Sequence, residues 1–121
     1  MATAKEAARA NVKAEYIQRG ETLDYKNTTD AVIPCDTVVA VGGRVGVTGG
    51  EIKPGELGSL HMAGVFRIPK TDTGDIGMGT AVYFDGAGIT ATATEGATTP
   101  AGYAAAPALA ADTHVLVKLP G

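Results

Sequence analysis

The 121-residue chain has no tryptophan, one serine, one cysteine and two histidines, and its six aromatics are four tyrosines and two phenylalanines. Each shortage removes a class of function. Aromatic stacking platforms and aromatic-lined ligand pockets have little to be built from. The lone Ser59 has no nucleophile-elbow context. Cys35 has no partner for an intrachain disulfide and no neighbouring ligands for a metal site, which favours a reducing, cytosolic assembly environment over a secretory one. No apolar run approaches the roughly 18 residues of a membrane-crossing helix. The beginning, MATAKEAARANVKAEY, has no apolar stretch of the kind a secretory leader carries. A net charge of −3 argues against non-specific nucleic-acid binding, which needs a basic surface.

Glycine is abundant, at 17 of 121 residues, about twice the usual share of roughly 7%. With so few aromatics the core must be aliphatic, built from Val, Ile, Leu and Ala. Glycine at this density outside a repeat implies many tight turns, and so many short strands.

The chain reads as an arm, residues 1–15, and a body, residues 16–121. The arm is rich in Ala, Lys, Glu and Arg, all helix formers, but has almost no large apolar residues with which to dock; alone it would be a marginal helix. Lys5, Arg9 and Lys13 are spaced i, i+4, i+8 and would share a helix face. With Tyr16 at the boundary, they are the candidate docking residues for an acidic partner, although the same spacing also describes an ordinary solvated face. Glu6 and Glu15 dilute the stripe, so nucleic acid is not its expected target.

After Tyr16 short β-branched runs alternate with Gly, Asp, Asn and Pro, the pattern of an all-β sandwich or barrel. AEYIQRG reads as a strand ending at Gly20, and TLDYKN as the next. TVVAV and RVGVT flank Gly42-Gly43, a hairpin signal. Pro54-Gly55 is a turn. ELGSLHMAGVFRIP reads as one long strand, bent or bulged at Gly64, where the alternation slips. TAVYFD and ITATAT flank Asp85-Gly86, and GYAAAP and THVLVKL close the chain, with Val115, Val117 and Leu119 facing one way and His114, Leu116 and Lys118 the other. Eight to ten strands with short connections imply antiparallel pairing. The expected fold is a compact antiparallel β-barrel or sandwich with an extended or partly helical N-terminal arm.

The motifs that suggest chemistry fail on inspection. In VGGRVGVTGGEI, Gly50 is followed by Glu51 and Ile52, where a phosphate loop needs Lys then Ser or Thr. Gly86-Ala87-Gly88-Ile89-Thr90-Ala91 fits a dinucleotide fingerprint only if a helix comes next, and an alternating Thr/Ala strand pattern stands there instead. His61 and His114 have no acidic residues at ligand spacing. Asp72, Asp75 and Asp85 lack the spacing of a calcium loop and read as turn formers. Asn27-Thr28-Thr29 matches a glycosylation sequon, which carries little weight without a leader. No cofactor, metal or catalytic residue is expected.

The order Gly20-Glu-Thr-Leu-Asp-Tyr, Val38-Val-Ala-Val-Gly-Gly-Arg-Val-Gly-Val, Ile52-Lys-Pro-Gly-Glu-Leu-Gly-Ser-Leu, Gly64-Val-Phe-Arg-Ile-Pro-Lys, Gly79-Thr-Ala-Val-Tyr-Phe-Asp, Gly102-Tyr-Ala and Val115-Leu-Val-Lys-Leu resembles a family of small tailed-phage proteins encoded among the head genes. These are capsid decoration or cement proteins, some of which carry a RecA/RadA-like recombinase label that the missing phosphate loop does not support here. The resemblance covers roughly residues 16–119. It implies a compact β-barrel-like body on the outer surface of the virion, bound to the major capsid protein as homotrimers at three-fold or quasi-three-fold positions. It also implies synthesis in the host bacterial cytoplasm, and with the charge and the absence of long apolar runs no nucleic-acid or membrane partner is expected. It offers no catalytic residues. The alternatives are another virion part, such as a tail or head-fibre base, or a small β ligand-binding module.

Overall fold

The computed structural model describes residues 12–121, and these form nine strands and no helix. The first four are β1 (Thr22–Lys26), β2 (Val38–Val41), β3 (Arg44–Thr48) and β4 (Leu57–His61). They make one antiparallel sheet in the order β1-β4-β3-β2. The others are β5 (Ala63–Pro69), β6 (Ala81–Phe84), β7 (Ile89–Thr90), β8 (Thr99–Ala104) and β9 (His114–Pro120). These make a second antiparallel sheet, β5-β9-β8-β6-β7.

The expected all-β, antiparallel body is present as two separate sheets that do not close into a barrel. β1, β2, β5 and β7 remain edge strands, so the barrel alternative gives way to a sandwich-like pair. The core between the sheets is aliphatic, as the composition requires. Val45 and Val47 of β3 meet Ile68, Val82, Ala101, Ala104, Val115, Val117 and Leu119 of the second sheet, closed by Ile76, Ile89 and Ala108. β9 buries Val115, Val117 and Leu119, as its alternation predicts.

Local turn chemistry explains the corners. Lys53-Pro54-Gly55-Glu56 closes with Glu56 N–H donating to the Lys53 carbonyl at 3.0 Å, and Gly55 takes φ +80°, the requirement at the third position of a type II turn. Val41 pairs with Arg44 across Gly42-Gly43. Only Gly42 has positive φ, at +58°, which is the sign pattern of a type II′ rather than a type I′ turn. Gly42→Val should therefore destabilise the protein by about 1–2 kcal/mol, the cost of a left-handed conformation, while Gly43→Val should be close to neutral. Paired thermal melts check this, and equal losses at both positions would contradict the turn assignment.

Three expectations are corrected. The strand expected over AEYIQRG does not form: residues 12–20 are irregular, and all but half-buried Gly20 are exposed. The β-forming residues there have no neighbouring strand to pair with, and the first bond into the body is from Met62 N–H to the Glu21 carbonyl at 2.8 Å. The long strand over 56–69 breaks at Met62 into β4 and β5, which belong to different sheets; the slip at Gly64, φ +123°, reflects a crossover rather than a bulge. ITATAT stops as a strand at Thr90, because the Asp72 carboxylate takes the Ala91 N–H at 3.0 Å and the Thr90 hydroxyl at 3.1 Å.

Candidate functional site

Two parts of the surface stand out: the N-terminal segment, and an open sheet face. In the segment, Val12, Tyr16 and Ile17 are 81%, 79% and 77% exposed. Lys13 is exposed in the same irregular stretch, so no helix face carries it. The only side-chain bond formed by this stretch among the described residues is Arg19 Nη2 donating to Glu21 Oε1 at 2.7 Å, which is also the only salt bridge among them. Lys5 and Arg9 lie outside the described residues. Of the four candidate docking residues, then, Lys13 and Tyr16 are placed, both on an accessible segment.

The body presents this segment from a frame whose polar groups are internally satisfied. No buried side-chain donor or acceptor among the described residues lacks a partner. Thr48, fully buried on β3, accepts from Thr37 N–H at 2.9 Å and donates to the Pro34 carbonyl at 2.8 Å. Its own carbonyl takes the N–H of Asp36, which is held at φ +61°.

Asp72, Asp85 and Asp112 are turn formers, as their sequence contexts suggest, whereas Asp75 takes an amide from a loop 35 residues away. Asp85 accepts from Ala87 and Gly88 N–H at 2.9 and 2.8 Å and from the Thr71 hydroxyl at 2.6 Å. Asp72 accepts from Gly74 N–H at 2.8 Å as well as from Thr90 and Ala91. Asp75 and Asp112 accept from Ala110 and Leu109 N–H. The hydrogen bond from Thr71, joined by those from Ala87 and Gly88, lowers the Asp85 pKa, and the Gly74 and Ala91 amides lower that of Asp72. A depressed folded-state pKa means that the unfolded chain binds protons more tightly. The stability these groups contribute is present above the unfolded value of about 3.9 and is lost as pH falls through the folded value. Denaturation midpoints should be flat from pH 7 to about 5 and fall below about 4. Asp85→Asn, which keeps an acceptor but loses the charge, should shrink that fall; an identical acid profile for the variant would refute the assignment.

The segments that resemble nucleotide loops are hairpins. Gly49-Gly50 comes after β3 without a helix, and Gly86–Gly88 turns into the two-residue β7. His61 Nδ1 lies 3.3 Å from the Thr22 hydroxyl, and His114 Nδ1 lies 2.8 Å from that of Thr113, so the two histidines serve different sheets. No cluster of three His, Cys, Asp or Glu able to hold a metal occurs among the described residues. The hollows are open: about 230 Å³ beside Val38, Val47, Phe66 and Ile68, and about 400 Å³ over Thr22, Glu51, Ser59 and His61.

The second surface is the outward face of the β5-β9-β8-β6 sheet. Pairing places Val65 opposite Lys118, Lys118 opposite Tyr103, and Tyr103 opposite Ala81, in one row across four strands. Arg67 and Leu116 form the next row. The outward alternation of β9 is legible in the sequence, whereas the row is not, because it depends on the order in which distant strands pair.

A family model described as phage cement protein matches residues 17–119. The chain belongs to the phage cement protein family. Searches of curated proteins and of solved structures returned no match. Membership establishes a capsid-associated role in a bacteriophage. The match begins at Ile17 and takes in all nine strands but the last residue of β9, while most of the N-terminal segment lies ahead of it.

Proposed function

We propose that this cement protein acts without catalysis. It binds the outer surface of the major capsid shell and stabilises it, with its N-terminal segment as one of the docking elements. The observation that carries this reading, beside the family match, is the contrast between a sandwich with no unsatisfied buried side chain among the described residues and a leading segment whose apolar residues Val12, Tyr16 and Ile17 are left almost wholly in water. Isolated exposed apolar residues are ordinary; three on a short unpaired segment can be buried on a partner at little cost to the fold. Ordering such a segment costs entropy on binding. Copies linked to one another, as homotrimers at three-fold positions would be, offset that cost by raising the effective concentration of each contact. A shell is stabilised by any ligand that binds the assembled lattice and not its separated parts, by mass action.

The test is deletion of residues 1–17, which removes Val12, Tyr16 and Ile17, together with purified shells lacking the protein. The truncated chain should melt within a few degrees of the full chain, because the described bonds of the body begin at Glu21 or beyond. Its co-sedimentation with shells should weaken by at least tenfold. Unchanged occupancy would remove the segment from the docking role, and failure of the full chain to co-sediment would remove the capsid-surface role itself.

A further inference from the structure

The solvated face of an antiparallel sheet is normally polar, with apolar residues alternating inward. The outward face of β5-β9-β8-β6 departs from that rule. Its exposed positions include Val65, Tyr103 and Leu116, at 55%, 41% and 40% exposure. Its charges are Arg67, which is exposed, and Lys118, which is half-buried. The four strands contain no Asp or Glu, and neither cation has a carboxylate within salt-bridge distance among the described residues. The register fixes the arrangement: Lys118 stands between Val65 and Tyr103 in one row, and Arg67 stands beside Leu116 in the next. A shallow hollow of about 110 Å³ opens beside Arg67, Leu116 and His114 against Ala106 and Pro107. The acidic residues of this half of the chain are in loops, and four of them, Asp72, Asp75, Asp85 and Asp112, are engaged as acceptors of backbone N–H groups.

We infer that this face is a second docking surface, and that its occupant is an acidic, apolar-bearing patch of the shell protein. The inference deepens the capsid-surface reading and rests on it. Charge complementarity selects the occupant. Two cations without a carboxylate partner among the described residues, set among aliphatic and tyrosine side chains, fit carboxylates flanked by apolar residues. Arg67 offers a planar fork for a bidentate carboxylate, and Lys118 is already half-buried in the row. A two-fold contact of the face with itself would set the Arg67 and Lys118 of one copy against those of the other. Nucleic acid would meet a chain of net charge −3 with only two cations on the contact face. With the N-terminal segment as one attachment and this face as another, each copy grips the shell at two places, and neither contact needs to be strong alone.

The experiment is co-sedimentation of the full chain with shells lacking it, using the Arg67→Glu/Lys118→Glu double variant, a Lys26→Glu/Lys53→Glu control with the same charge change in the half of the chain that forms the other sheet, and the conservative Arg67→Lys/Lys118→Arg pair. The charge-reversed face should bind at least tenfold more weakly than wild type. The control and the conservative pair should stay within about threefold. Wild-type binding should weaken from 50 to 300 mM salt by a factor that the reversed face does not share. All variants should melt near the wild-type temperature, since the changed side chains point outward. If wild type itself fails to bind, the capsid-surface reading falls and takes the inference with it. If wild type binds and the reversed face binds equally well, the reading stands and this surface is wrong. If the reversal changes only the oligomeric state in sedimentation velocity, with shell occupancy per chain unchanged, the occupant is a second copy and the inference is overturned.

Discussion

Gly102→Ala should lower the melting temperature by about 15 °C or prevent folding outright. Gly102 lies in β8 at φ +140°, a region that essentially only glycine adopts, at a cost of about 1–3 kcal/mol for other residues. It sits next to a bulge. Val82 pairs with Gly102 but Tyr83 pairs with Pro100, so Ala101 is the extra residue, and its side chain is tucked into the core at 2% exposure. The bulge presses the backbone at Gly102 against β9. A Cβ added there would overlap the Lys118 carbonyl oxygen and come within 3.1 Å of Pro120 Cδ. The overlapped atom is backbone of a central strand, paired with β5 on its far side, so it cannot move without dragging the sheet. Overpacking of this kind costs about 1–3 kcal/mol more. The sum, about 4 kcal/mol, is a large part of a small domain's total stability and corresponds to roughly 4 °C per kcal/mol at this size. Gly43→Ala, in open space, is the natural control. A loss of under 2 °C at Gly102 would mean that β8 and β9 do not approach as described.

Gly102 also marks where the sequence stops being informative. Corners are legible wherever a few consecutive residues decide them: Gly42-Gly43, Pro54-Gly55 and Asp85-Gly86 carry their own backbone requirements, and Val115–Leu119 carries its own alternation. Features that depend on partners far along the chain are not legible. EYIQ has strand-forming residues, but β-propensity expresses packing against neighbours, and this segment has none. The crossover at Met62 is decided by β3, where Gly46 leaves room for the side chains of Leu60 and Met62: a Cβ on Gly46 would lie 2.6 Å from Leu60 Cγ and 2.8 Å from Met62 Sδ. The end of ITATAT at Thr90 is decided by Asp72, 18 residues earlier. The same division holds for the candidate surfaces. An arm poor in large apolar residues shows itself in composition, so Lys13 and Tyr16 can be singled out, although the helix expected to align the basic stripe does not extend through residue 13. The Val65–Lys118–Tyr103 row joins residues 53 and 15 positions apart, and only the pairing of β5, β9 and β8 brings them together.

Asn27→Asp should be among the most damaging isosteric changes in the molecule at neutral pH, and the damage should partly reverse in mild acid. Asn27 directly follows β1, with its side chain fully buried. Its Nδ2 donates to the Ala31 and Ile52 carbonyls at 2.8 and 2.9 Å, and its Oδ1 accepts from Thr29 N–H and the Thr29 hydroxyl at 3.0 and 2.6 Å. Two carbonyls on one side and two donors on the other fix which way the amide points. Its backbone completes the clasp, donating to the Glu56 carbonyl at 3.0 Å and accepting from Gly55 N–H at 2.8 Å. One residue thus ties the 27–33 loop to the 52–56 turn, where Ile33 and Ile52 exchange two bonds of 2.9 Å, and its amide nitrogen is not accessible for glycosylation in the folded protein. Ile52 is seated against Gly58 below, so loosening the clasp exposes a buried apolar side chain as well. A carboxylate in this place would turn an oxygen toward both carbonyls. The cost is that of two buried acceptors without donors plus a buried charge, about 4 kcal/mol against about 3 for Asn27→Ala. Burial and the facing carbonyls disfavour the ionised form, so the folded pKa of the introduced acid would stand above the unfolded value of about 3.9. The folded variant then takes up its proton first as pH falls, and the protonated group can donate to one carbonyl. Urea denaturation of variant and wild type at pH 7.5 and pH 5 reads this directly, since at pH 5 Asp72 and Asp85 are still ionised in both states. The gap in unfolding free energy should narrow by about 1–2 kcal/mol at the lower pH. A gap under 1 kcal/mol at pH 7.5, or one that does not narrow, would show that the Asn27 amide is not holding the two loops together.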